Sequence, residues 1–352
     1  MAKNIKSGLS KCPGCGGNLL FSPQTQDLVC EHCALHVELA KDKNINKHDY
    51  VSGKNFDDND EWAEGSRSYR CKSCGGQVSL VGFEISKICP YCGSTYVSEV
   101  KTLPGLKPDA VIPFAFDKTT AKLKFKEQIK HKVFVPTTFK KALPESKIYG
   151  LYVPTFSFDA DVSATYNGVL EENYTTKDKD GNTIVKTHSF RVSGEMDDKF
   201  ENVVIESSQK MTQNEIDSIL PYDHSRAYNY DEGFVRGFFV EHYEDSLDKC
   251  YNLAENVMNI NVRKKILFRY RYDRVVYLNV DANYSNKKYA YKLAPVYKFE
   301  YSFKKKKYLT CMNGQTGNIQ NNLPKSGWKI FGLVFGIVAF IAFIVLMYFV
   351  TN

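Results

Sequence analysis

Eight of the ten cysteines fall into two quartets of identical spacing. Cys12-Pro-Gly-Cys15 is followed, after a gap of 14 residues, by Cys30-Glu-His-Cys33, and Cys71-Lys-Ser-Cys74 is followed, after the same gap, by Cys89-Pro-Tyr-Cys92. Every cysteine of the first set recurs 59 positions later, and Gly16-Gly17 recurs as Gly75-Gly76, so one unit is written twice. A C-x-x-C pair brings two thiolates to one ion while nearby backbone amides point at the sulfurs, and two such knuckles close a tetrahedral site of the zinc-ribbon type. Cys12, Cys15, Cys30 and Cys33 are the expected ligands of one zinc ion, and Cys71, Cys74, Cys89 and Cys92 of a second. With four sulfurs in place no position is left for water or substrate, so both ions are expected to be structural. A rubredoxin-like iron site usually has a much longer gap between knuckles, and a thioredoxin-like redox pair belongs beside a βαβ pattern that is not visible here. His32 lies inside the Cys30–Cys33 knuckle and His36 just after it, but four sulfurs already suffice, so both read as surface residues.

Units of about 25 residues bury little core, so the metal is expected to supply most of their folding energy. The hairpin between the first knuckles, Leu19 to Val29, has no basic residue, and that between the second, Gln77 to Ile88, has only Lys87. Phosphate binding needs several Lys or Arg. Residues 1–100 carry 11 basic and 12 acidic side chains, and eight thiolates on two zinc ions would make the region more acidic still. A nucleic-acid-binding ribbon protein is therefore the second reading and not the first. The same hairpins carry Leu19, Leu20, Phe21, Leu80, Val81 and Phe83, an apolar set that suits contact with another protein.

The elements that position these units read as follows: ribbon 1 over 10–36, a flexible acidic linker over 37–68, ribbon 2 over 69–100, an α+β domain over 109–322 and a membrane helix over 328–350. The domain is expected to be antiparallel-β-rich with two main helices. Ala121, Phe125 and Ile129 at spacing four, after Asp117 or Thr119 as N-cap, predict one helix to about Lys132. Leu247, Tyr251, Ala254 and Met258 predict the second, from Asp245 to about Phe268, and bury Cys250. Phe156 to Tyr166 alternates as a long half-buried strand, Asp180-Gly181 marks a hairpin, and separate strands are expected at Phe200 to Glu206, Val275 to Ala282, Tyr289 to Leu293 and Tyr297 to Phe303.

Enzyme signatures are missing from the sequence. Gly53-Lys54 has His48 where a P-loop needs its first glycine and Asn55 after the lysine; neither H-E-x-x-H nor G-x-S-x-G occurs. Asp159 and Asp161 read as a solvated strand face, and Asp223-His224-Ser225 as a loop, because triads are not assembled from sequence neighbours.

Ile330 to Val350 holds 21 uncharged residues, which at ~1.5 Å rise span roughly 30 Å of hydrocarbon. Trp328 and Tyr348 stand at its ends, and Lys325 and Lys329 flank the N-terminal side alone, which places that side in the cytoplasm by the positive-inside rule. No secretory signal opens the chain, so a cytosolic body tethered by its tail is expected. Residues 301–352 carry six lysines and no acid, and Lys304, Lys305, Lys306 and Lys307 form a cluster suited to an anionic inner leaflet. Gly332-x-x-x-Gly336 permits helix dimerisation.

With the paired quartets, Gly150-Leu-Tyr-Val-Pro-Thr-Phe-Ser-Phe-Asp-Ala-Asp-Val162, the turn Asn313-Gly-Gln-Thr-Gly317 and the terminal span, the chain resembles the tail-anchored double zinc-ribbon membrane proteins of bacterial phage-shock-type envelope-stress operons. Some of these carry a helicase-like label, which a sequence without a nucleotide loop does not support. The resemblance implies a non-enzymatic adaptor that brings an SPFH-domain protein, and through it an ESCRT-III-like phage-shock protein, to the membrane; it adds no site residues beyond the eight cysteines.

Overall fold

The computed structural model describes residues 11–52, 66–81, 89, 90, 94, 97–100, 106–142, 147–208, 211, 213–243, 245–320 and 322–351. The class is α+β, as the periodicities predict. The first unit is a small antiparallel sheet of β1 (Leu19–Ser22), β2 (Asp27–Cys30) and β3 (His36–Val37), in that order. The chain then runs through β4 (His48–Asp49) to the second unit, β5 (Ser66–Cys71), β6 (Gln77–Val81) and β7 (Val97–Val100), with β5 in the middle. After β8 (Ala110–Val111), two helices follow, α1 (Lys118–His131) and α2 (Thr137–Ala142). Asp117 starts α1 by accepting the Thr120 N–H at 2.8 Å, and Ala121, Phe125 and Ile129 are its buried stripe, with Phe125 stacked on Phe299 at 4.4 Å.

Three long strands carry the body. They are β9 (Lys147–Lys177) and β10 (Thr183–Glu206), joined as a hairpin, and β13 (Arg274–Phe303), which lies on the other side of β9. Between β10 and β13 come α3 (Gln213–Ile219), β11 (Tyr228–Asn229), α4 (Glu232–Val235), β12 (Phe239–Glu241) and α5 (Leu247–Leu267); after β13 come β14 (Lys306–Asn313) and α6 (Gly327–Thr351). The hairpin turns where expected, with Asp178 Oδ1 accepting the N–H groups of Asp180 and Asn182 and Gly181 at φ +84°.

The break expected between Ala282 and Tyr289 is a bulge within β13, and β10 carries another inside the strand expected at Phe200 to Glu206. The register shifts between Phe200 and Val203, with Asn202 at φ 54°, and between Ser285 and Lys288, with Asn286 at φ 48°. Asparagine tolerates this left-handed backbone, so the strand bends and continues. Both bulges face one point of β9. Asp159 Oδ1 accepts the Asn202 N–H at 2.9 Å, and Asp161 Oδ2 accepts from Asn286 Nδ2 at 2.7 Å. The two carboxylates thus hold the bulges, and Asp159 also pairs with Lys47, so it is largely covered and not a solvated strand residue.

From Asp159 outward β9 alternates, its inner residues Ala160, Val162, Ala164 and Tyr166 forming part of the core with Ala254, Met258, Val262 and Ile266 of α5. From Gly150 to Phe158 every residue of β9 is buried, because both faces are covered there. Tyr152, Phe156 and Phe158 join the larger core, while Leu151 and Val153 join a second one with Ile216, Ile219, Val296 and Cys311.

The segment expected as a flexible linker is, over its described part 37–52, a strap laid on the body. Val37 and Leu39 are buried, His48 pairs with Tyr289 on β13, and Tyr50 stacks on Tyr251 at 4.1 Å while donating to Asp248 at 2.8 Å. Its acidic part, including Phe56 to Trp62, lies outside the described residues.

Candidate metal centres and their seating

Each knuckle is a turn closed by backbone bonds. In the first unit the Cys12 N–H donates to Gly17 O at 2.7 Å and the Gly16 N–H to Cys12 O at 2.8 Å; in the second, Cys71 donates to Gly76 O at 2.9 Å and Gly75 to Cys71 O at 2.8 Å. Gly16 and Gly75 share φ +72°, a conformation that favours glycine. A Cβ on Gly17 would stand 2.6 Å from the His32 ring and about as close to Cys30 and Cys15 sulfur as atoms come, at 3.1 and 3.2 Å. In the first unit the turn favours glycine at 16 and the sulfurs leave no room at 17, and Gly75 answers the same turn in the second.

The sulfurs of Cys12, Cys15, Cys30 and Cys33 lie within 4.8 Å of one another, as do those of Cys71, Cys74 and Cys89. Cys92, the remaining expected ligand, lies outside the described residues. Cys12–Cys33 and Cys15–Cys30 stand at 3.5 Å and Cys74–Cys89 at 3.7 Å. Four sulfurs placed tetrahedrally at ~2.3 Å from an ion stand ~3.8 Å apart, so both groups fit a thiophilic ion of the size of zinc. The protonation of the first cluster points the same way. The Cys33 N–H and its neighbours pull Cys30 down to about 6. Against the Leu35 N–H, the sulfurs of Cys15 and Cys12 push Cys33 up to about 12. A cation among the sulfurs removes that conflict by holding all four as thiolates. His32 and His36 are exposed, as their position predicts.

The first ribbon is seated on the body by the residues expected to meet another protein. Leu19 and Phe21 are buried, with the Phe21 ring 5.5 Å from Phe234 in an edge contact and 6.4 Å from Phe238. The Phe21 N–H donates to Arg236 O at 3.2 Å, and Gln26 Nε2 to Phe114 O at 2.7 Å. The apolar set of this hairpin is therefore turned inward, to α4 and the sheet. Phe21→Ala should cost about 3 to 5 kcal/mol as a core truncation, read as a lowered thermal midpoint with faster proteolysis within the ribbon.

The second ribbon extends the main sheet. β6 pairs antiparallel with β12, Leu80 opposite Phe239, and β12 pairs parallel with β9. A buried chain of hydrogen bonds ties it in, Ser68 Oγ to Ser79 Oγ at 2.8 Å and Ser79 Oγ to His242 Nε2 at 2.7 Å, and burial depresses His242 to about 4 so that its ring stays neutral. Phe83 lies outside the described residues. Outward on the first ribbon are its knuckle tips, Pro13 to Gly16 and Glu31 to Leu35, with His36 after them and the hairpin turn at Gln24 and Thr25. Neither seating was legible beforehand: Phe21 sits in an apolar run, but no local pattern names its partners on α4.

The remaining motifs are structural. Asp223 accepts from Ser225 N–H at 3.0 Å and Oγ at 2.6 Å, capping a short helical turn, and Cys250 and Cys311 are buried thiols. Gly327–Tyr348 is long and apolar enough to cross a membrane, with mean hydropathy 3.0 and none of it buried against the described chain.

The chain is similar to a protein of Bacillus subtilis (strain 168) named uncharacterized protein YdjG, with 24% identity over 327 residues and 91% of each chain covered. The likeness is one of whole chains and not of a ribbon motif alone. No family model matches the chain, and no solved structure matches it.

Proposed function

We propose that the chain is a non-enzymatic adaptor on a single C-terminal membrane anchor, its body on the cytoplasmic side, with the ribbon knuckles presented to protein partners. The observation that carries this reading is the outward face of a seated ribbon: Glu31, His32, Cys33, Ala34 and Leu35 are all exposed on a unit otherwise fixed to the body. Leu35, with 39% of its surface accessible, is the apolar contact left on that tip. A closed all-sulfur centre suits a rigid binding face and offers no place for substrate. Lys325 and Lys329 on the N-terminal side of the apolar helix support the cytoplasmic orientation of the body. The resemblance to phage-shock-type membrane proteins suggests an SPFH-domain protein, and an ESCRT-III-like protein behind it, as partners. The bare helix faces at Gly332 and Gly336, where an added Cβ meets nothing within 4 Å, leave room for a second copy in the bilayer.

Because β4 and β6 belong to the body's sheet, deleting the ribbon region is not a clean test. Affinity capture from detergent-solubilised membranes with the full chain, beside Leu35→Asp, is cleaner. Recovery of one cytosolic protein should fall about tenfold or more, as for truncation of a central interface residue, with the thermal midpoint unchanged. Equal recovery of every partner by both forms would reject the knuckle as the binding face. Ending the chain at residue 326 should move the protein from the membrane fraction to the soluble one.

A further inference from the structure

The apolar helix does not leave the body on a free tether. The Ser326 N–H donates to Phe134 O at 2.8 Å, and Lys329 Nζ donates to Val133 O at 3.1 Å and Val135 O at 2.9 Å. The connector between α1 and α2, residues 132–136, is thereby fastened to the first turn of α6. Val135 is buried in the core, whereas Val133 and Phe134 are 69% and 40% exposed, and Trp328 in the first turn of α6 is 85% exposed. Apolar side chains at the tip of a connector normally turn inward, and only one of these three does.

Charge surrounds them. Residues 118–142 hold eight lysines and one acid, Glu127, a net of +7 that equals that of the whole chain. Lys140 Nζ donates to Lys130 O at 2.7 Å, which ties α2 to the end of α1. On its other side α2 meets the β13–β14 hairpin, with Phe139 5.2 Å from Tyr301 and 5.1 Å from Phe303, next to the turn at Lys304 and Lys305. Three lysine-bearing elements thus meet at the end of the body from which α6 departs.

We propose that the residue 132–136 connector is a second membrane contact: Val133 and Phe134 insert at the headgroup level, and the lysines of α1, α2 and the β13–β14 turn bind anionic lipid. The inference rests on α6 spanning a bilayer. Given that span, the occupant follows from distance. Ile330, the start of the uncharged run, lies three residues into α6, ~5 Å along its axis. The headgroup layer is ~5–7 Å deep on each side of the hydrocarbon, so a connector bonded to Ser326 and Lys329 stands within it. A protein partner would have to displace lipid to reach the same place. The body would then be held at a fixed angle to the membrane, with the ribbon knuckles in a defined direction, where a single tether would let it swing.

The test uses the full chain reconstituted in vesicles of phosphatidylcholine with phosphatidylglycerol. Trp62 and Trp328 are changed to phenylalanine, and one tryptophan is introduced as Phe134→Trp, as Val133→Trp, or as Val185→Trp at the exposed far end of the β9–β10 hairpin. Acyl-chain-brominated lipid should quench about half of the emission at position 134 or 133, as for a ring some 5–10 Å below the surface, and none at 185. Quenching should fall at least twofold in pure phosphatidylcholine or with Lys132→Glu, Lys140→Glu and Lys141→Glu combined. If the protein floats with the vesicles and both connector positions are unquenched, the second contact is rejected while the span stands. If it does not float, the span and the contact fail together. Equal quenching in neutral and anionic vesicles overturns the anionic selectivity.

Discussion

Cys30→Ser, or a strong chelator applied to the parent, is expected to lower the thermal midpoint of the whole body and not merely loosen a ribbon. A structural zinc ion supplies roughly 10 to 16 kcal/mol to small ribbon units, so a site short of one ligand no longer holds its hairpin. In an independent ribbon the loss would stay local. Here Leu19, Phe21, Leu28, Val37 and Leu39 belong to the same contiguous core as Phe114, Tyr152, Phe234 and Tyr297. Each such side chain contributes about 1.5 to 3 kcal/mol by leaving water, against a total stability of order 5 to 15 kcal/mol. A drop of about 10 °C or more is therefore expected in detergent-solubilised full chain, with one equivalent of bound metal lost in Cys30→Ser. Cys15 and Cys33 are exposed, so a chelator can reach the first site without prior unfolding. Cys250→Ala is the control: a thiol buried beneath α5 should lower the midpoint modestly and leave the metal content untouched. A body transition that ignores Cys30→Ser would mean that the ribbon's seating on α4 carries no energy.

This coupling marks where sequence stops informing. The knuckles were legible because metal geometry restricts spacing to a few residues, and the glycine pair repeats for a local steric reason. α1 and α5 were legible because their buried stripes recur every three or four residues within one element. The destination of Phe21 was not, since its partners at 234 and 238 lie more than 200 positions away and nothing local to residues 19–29 distinguishes an outward apolar face from an inward one. The strap was missed for the opposite reason. Residues 37–52 are mostly polar, and beyond Val37 and Leu39 they are held by pairings such as His48 with Tyr289 and Tyr50 with Asp248, which leave no periodicity. Strand lengths failed in β13: the stretch around Asn286 reads as a break between two strands, and only the register with β9 shows that it is a bulge.

Glu206→Gln is expected to flatten the dependence of stability on pH above neutrality, for a reason equally hidden in the sequence. Glu206 ends β10, Glu241 ends β12 and Lys298 lies on β13, and all three are 5% exposed or less. The Ser208 N–H donates to Glu206 Oε1 at 2.7 Å and its hydroxyl donates to Glu241 Oε1. Two carboxylates buried this close together repel each other's charge, so Glu206 keeps a proton more readily than an exposed glutamate does. Burial, then the charge of Glu241, raises Glu206 to about 10, against the opposing pull of the Ser208 N–H and Lys298. A folded value above the unfolded one, 4.5, means that the folded state holds the extra proton. Its stabilisation is complete below the unfolded value and is lost as pH climbs towards 10, by at most ~1.4 kcal/mol per pH unit. The parent should therefore lose several degrees of thermal midpoint between pH 6 and 9. Glu206→Gln, which keeps an acceptor for Ser208 and has nothing to ionise, should not. Lys298→Met should be the least stable of the three, because the pull of Lys298 that holds Glu206 down is then gone. Parallel pH profiles for parent and Glu206→Gln would show that the proton is not held there.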